Sequence, residues 1–136
     1  YLFDWSSMLS FEGNTAPYLM YAYARIRTLL AKQKVDTDSI IRFPESVALA
    51  PEEKALLLKS LQLAETIDAV AQDCFPNTLS NYLYELSASF MRFYEACPIQ
   101  GTDAATRANR LSLCVLASEA LKQGLDLLGI ETLERM

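Results

Sequence analysis

The sequence predicts an all-α protein, a helical bundle. Three observations point there. Apolar residues recur at three- and four-residue spacing in four stretches. Val and Ile runs of period two are absent. The 4 glycines and 5 prolines of the 136 residues fall mostly between the periodic stretches. Four amphipathic helices with one apolar face each bury those faces against one another.

The first helix is expected to begin near Asn14-Thr15, where either residue can cap and Pro17 suits the first turn. It runs to about Lys34. Val35 to Ala50, with Asp, Thr, Ser and Pro44, reads as a long connection. Pro51-Glu52-Glu53 opens a second helix, with acids at its positive end. Its expected stripe is Leu57, Leu61, Ala64, Ile67 and Ala71.

Phe75-Pro76-Asn77-Thr78 breaks that helix and starts a third. Leu79, Leu83, Leu86, Phe90, Phe93 and Cys97 alternate spacings of four and three, which makes one continuous face. Pro98 and Gly101 end it. Thr102 can cap a fourth helix, whose face is Leu111, Cys114 or Val115, Leu121, Leu125 and Leu128. Ser118 interrupts this stripe, and its hydroxyl can bond back to a carbonyl one turn earlier. Gly129 suits the position just past the helix end.

Composition bounds the function. An apolar share of 51% supplies a core, and a charged share of 21% excludes disorder. No apolar run approaches the roughly 20 residues of a membrane span. The start, Tyr1-Leu2-Phe3-Asp4-Trp5, lacks a signal-peptide pattern and an initiator Met, so the chain reads as a piece of a longer protein. Cys74, Cys97 and Cys114 fit neither a disulfide framework nor a zinc pattern, and buried, reduced thiols in a cytoplasmic protein are expected. The absence of histidine excludes Ser-His-Asp and Cys-His nucleophiles and most transition-metal sites. The acids Glu52, Glu53, Glu65, Asp68 and Asp73 are scattered, unlike a paired-carboxylate site. No phosphate-cradling glycine loop is present.

The net charge of −5 argues against generic phosphate-backbone binding, so recognition of nucleic acid requires a local site. The first helix offers one. Tyr18, Tyr21 and Arg25 stand at i, i+3 and i+7, which puts two phenols and a guanidinium on one side, while Tyr23 and Arg27 point elsewhere. Aromatic rings stack on unpaired bases, and an Arg fork adds hydrogen bonds or a cation–π contact. The same spacing also fits ordinary boundary aromatics. The third helix holds Tyr82, Tyr84, Phe90, Phe93 and Tyr94. Tyr94 falls one position past the core stripe, where its polar tip can reach solvent.

Four stretches resemble arginyl-tRNA synthetases, of the bacterial type. Met8 to Arg25 (MLSFEGNTAPYLMYAYAR) is similar to the segment entering their C-terminal domain, and Gly124 to Met136 (GLDLLGIETLERM) to their terminus. Leu79 to Leu86 and Phe93 to Ile99 are similar as well. The resemblance implies the helical anticodon-binding domain shared among class I aminoacyl-tRNA synthetases. It implies that residues 1–13 end the connection from a catalytic domain and that 14–136 form the anticodon-binding domain.

By the same resemblance, the anticodon stem-loop of arginine tRNA meets Tyr18, Tyr21, Arg25, Tyr94 and the terminal Met136. Arg25, Arg27, Lys32 and Lys34 would contact phosphates. Pro98 stands where eukaryotic members stack a tryptophan, and a proline cannot stack that way. Catalysis, with ATP and Mg, would occur in the other domain, so this chain should hold no catalytic residue, cofactor or metal. The expected partners are that tRNA and the catalytic domain, with neither DNA nor membrane. A module that docks a partner helix in an apolar groove is the alternative, and the acidic charge suits it.

Overall fold

The computed structural model describes residues 3–35 and 48–134. They form α1 (Trp5–Met8), α2 (Ala16–Lys32), α3 (Pro51–Leu61), α4 (Leu63–Asp73), α5 (Pro76–Ala96) and α6 (Ala104–Leu127), with no strand among the described residues. The 21-residue α5 is the axis of the bundle: α2, α3, α4 and α6 all pack on it. Helix α6 also packs on α2 and α3.

Helix α2 starts as its sequence predicts. Thr15 Oγ1 accepts the Tyr18 N–H at 3.3 Å, and Pro17 occupies the first turn. It ends at Lys32. The Lys34 N–H then donates to the Ala31 carbonyl and the Val35 N–H to the Leu30 carbonyl, both at 3.1 Å, with Lys34 left-handed at φ 54°. Gly129 closes α6 in the same manner. Its φ is 73°, and the Ile130 N–H reaches the Leu125 carbonyl at 2.9 Å. Residues 36–47, and Pro44 with them, lie outside the described residues.

All six predicted stripe positions of α5, Leu79, Leu83, Leu86, Phe90, Phe93 and Cys97, are buried. Against them lie Leu19, Tyr23, Ile26 and Leu30 of α2, Leu56 of α3, and Leu113, Cys114, Leu121 and Leu125 of α6. Cys114 and Val115 are both buried, and Ser118 Oγ donates to the Val115 carbonyl at 2.8 Å, one turn back. Gly124 lets α6 approach α5 closely: a Cβ there would meet Leu83 Cδ2 at 2.4 Å.

Four expectations need correction. The second helix is two, broken at Gln62. Ser60 Oγ bonds to the Leu56 carbonyl, Thr66 Oγ1 to the Gln62 carbonyl, and the Gln62 N–H to Lys59 in a tightened i→i+3 turn. Its buried face is Glu53, Leu56 and Ser60, whereas Leu61, Ala64 and Ala71 are exposed. The displaced stripe has a polar cause. Glu53 occupies a core position because the Ala50 N–H donates to its Oε2 at 2.7 Å and Arg110 Nε to its Oε1 at 2.6 Å.

Asp103, not Thr102, caps α6. Its Oδ1 accepts the Ala105 and Thr106 N–H groups at 3.0 Å, while Thr102 Oγ1 donates to the Ile99 carbonyl. Cys74 is exposed rather than buried, because it ends α4 in a left-handed turn at φ 57°. Cys97 and Cys114 are buried, and burial pushes the Cys114 thiol up to about 12. Finally, the leading segment contains α1, capped by Asp4, whose Oδ2 accepts the Ser7 N–H at 2.9 Å. None of its residues is buried.

Candidate nucleic-acid interface

Tyr21, Arg25, Thr28 and Lys32 fall on successive turns along one side of α2 and line a cleft of about 240 Å³. Tyr94, near the end of α5, forms the opposite wall. The Arg25 guanidinium carbon lies 5.1 Å from the centre of the Tyr94 ring, within cation–π range. Tyr94 is held from behind: its ring is roughly parallel to that of fully buried Phe90, at 6.1 Å and 28°. Tyr21 and Tyr94 are 39% and 38% exposed, so both rings are open to solvent.

Tyr18 behaves differently. It is half-buried, does not line this cleft, and its ring lies 5.5 Å from that of Tyr84. Burial, then the nearby Tyr84, raises its phenol above the ordinary value. The structure thus brings together Tyr21, Arg25 and Tyr94, with Tyr18 to one side. Met136 lies outside the described residues.

The cations divide into two groups. Arg27 Nε is bound to Glu134 Oε2 at 2.7 Å, which neutralises it locally. Among the described residues Arg25 and Lys32 make no ion pair, so their charges face the cleft. A small cationic spot therefore exists on an acidic domain.

A second, wider cleft of about 460 Å³ continues from the first. Leu29, Lys32 and Tyr94 belong to both, and Gln33, Cys97, Pro98, Ile99 and Gln100 complete it. Sequence reasoning missed Thr28, Leu29, Gln33 and Gln100. A signal existed for Thr28, seven residues after Tyr21 and so on the same helical face; Gln100 arrives only through the fold. Pro98 lines the wider cleft, and its carbonyl accepts a hydrogen bond from Arg110 Nη1.

Among the described residues no group of His, Cys, Asp or Glu is placed to hold a metal ion, and no helix is long and apolar enough to cross a membrane.

A helical bundle carrying such a surface has known counterparts. The chain belongs to the DALR anticodon binding domain family, whose model matches residues 19–136. Its curated relatives are arginine–tRNA ligases. That of Colwellia psychrerythraea is 55% identical over the whole chain, and that of Haemophilus ducreyi 49%. The chain spans about a quarter of their length, 23% and 24%.

Solved structures agree. Thermus thermophilus arginyl-tRNA synthetase is 36% identical and superposes with a TM-score of 0.83, over 94% of this chain and 22% of that one. The Plasmodium falciparum arginyl-tRNA synthetase, 26% identical, superposes at 0.84 over the whole chain and 24% of its own.

Proposed function

We propose that this chain is the C-terminal part of an arginine–tRNA ligase and grips the anticodon loop of arginine tRNA. The observation that carries the reading is the cleft in which the Arg25 guanidinium, the Tyr94 ring and Tyr21 converge. Loop bases unstack and lodge on the phenol rings, at about 1–3 kcal/mol per base. Arg25 contributes hydrogen bonds to base edges, and Lys32 takes a backbone phosphate. Tyr18 borders this site, and Met136 completes it from the carboxyl end.

Arginine attachment with ATP and Mg belongs to the remainder of the ligase, in the cytoplasm. The chain boundary is set at residues 13 and 14. Before it, Phe3, Trp5, Leu9 and Phe11 are each more than half exposed, more apolar surface than a nine-residue segment leaves open without a partner. The catalytic domain is the partner that this reading supplies.

Binding of arginine and non-arginine tRNA transcripts to the intact protein tests the reading. Preference for arginine transcripts, lost on changing the anticodon, is expected. Equal, weak binding of all transcripts would favour a helical module for protein partners instead.

A further inference from the structure

The wider cleft carries chemistry that the Tyr21–Arg25–Tyr94 grip does not use. Its volume, about 460 Å³, lies in the range of small-molecule sites. It shares Leu29, Lys32 and Tyr94 with the narrower cleft, so a chain bound in one runs directly into the other.

Its polar wall has a fixed orientation. Arg107 Nη2 donates to Gln33 Oε1 at 2.8 Å. A guanidinium has no acceptor, so this bond settles which end of the amide is oxygen. The Gln33 carbonyl is occupied, and what Gln33 has left to offer a ligand is its NH2, a donor only. The Pro98 carbonyl is likewise taken, by Arg110. Gln100 is exposed at the rim and can both donate and accept.

We propose that this cleft is a second nucleotide subsite, for the unpaired nucleotide next to the one held by Arg25 and Tyr94. Lys32, common to both clefts, neutralises the phosphate between the two nucleotides. Gln33 donates to a base carbonyl oxygen or ring nitrogen and disfavours a base that presents an amino group there. Arg107 is a positioning residue that acts through Gln33. The proposal rests on the anticodon reading above, so its test separates the two.

The test is binding of arginine tRNA transcripts, with each anticodon-loop nucleotide changed in turn, to the intact ligase containing this chain. Gln33→Met keeps length and packing and removes the donor. It is expected to cost roughly tenfold in discrimination at one loop position, distinct from the position where Tyr94→Ala acts. Arg107→Met, which frees the amide to rotate, reduces the same discrimination without any lost RNA contact. Lys32→Met lowers the slope of log affinity against log salt by about 0.7.

If Tyr94→Ala weakens binding while Gln33→Met retains discrimination at every loop position, the subsite is overturned and the anticodon reading stands. If Tyr94→Ala also binds as wild type, the anticodon reading falls and the subsite with it.

Discussion

The Tyr23 hydroxyl donates to Glu134 Oε1 at 3.1 Å, joining a core residue of α2 to the polar tail that follows α6. Arg27, one turn along, takes the other oxygen at 2.7 Å. The tail is thereby clamped against α2 two residues before Met136.

The clamp has a defined pH window. Arg27, then the Tyr23 hydroxyl, hold the Glu134 carboxyl below its ordinary 4.5, against a smaller opposing effect of burial. Its folded pKa is depressed, so its contribution is present above pH 4.5 and is lost as pH falls through the folded value. Burial, then the Glu134 bond, pushes the Tyr23 phenol from 10.0 up to about 12. That contribution is complete below pH 10 and is lost as pH rises through about 12. Glu134→Gln should speed hydrogen exchange at residues 130–134, and Tyr23→Phe should cost about 1 kcal/mol. Unaltered exchange in Glu134→Gln between pH 5 and 9 would count against the clamp.

Arg110 governs stability. It pairs with Glu53, whose side chain is 2% exposed, and also holds the Pro98 carbonyl beside the wider cleft. Arg110→Met leaves a carboxylate buried with the Ala50 N–H alone, which should cost about 3–5 kcal/mol in urea unfolding. Glu53→Leu added to Arg110→Met should recover much of that loss, because no charge is then left buried. A double variant as unstable as the single one would contradict this account.

Gly124→Ala opposes two effects. Helix propensity favours Ala by about 1 kcal/mol. Overpacking costs about 1–3 kcal/mol, and the new Cβ would meet Leu83, a side chain with no exposure, at 2.4 Å. The crowding should win, with a lower melting temperature. A higher one would show that Leu83 can move aside.

The fold was legible where burial and apolarity coincide. Every core position of α5 from Leu79 to Cys97 is apolar or a thiol, so its periodicity was plain. The register of α3 was hidden because two of its three buried positions, Glu53 and Ser60, are polar, and their partners come from Arg110 and the Leu56 carbonyl. The short α1 rests on one local cap at Asp4, too little to mark it in a pattern search. In the site, Tyr21 and Arg25 share a helix and could be read together. Tyr18 shares that helix too, yet Tyr84 draws it aside, a contact that spacing on α2 cannot reveal. Gln33 acquires its donor-only character from Arg107 on α6, which is a tertiary fact.

Salt tests the cationic spot. Arg27 is committed to Glu134, so Arg27→Met should leave the salt slope of tRNA binding nearly unchanged, while Arg25→Met lowers it by about 0.7. Equal slopes for both variants would mean that the ion pair opens when RNA binds.

The most direct measurement is the dissociation constant of arginine tRNA for the intact ligase carrying Tyr94→Ala, Tyr94→Phe or Arg25→Ala. Tyr94→Ala and Arg25→Ala should each weaken binding by about 1–3 kcal/mol, with circular dichroism unchanged and Tyr94→Phe close to wild type because the ring remains. Wild-type affinity in both alanine variants, with folding intact, would contradict the role assigned to the cleft.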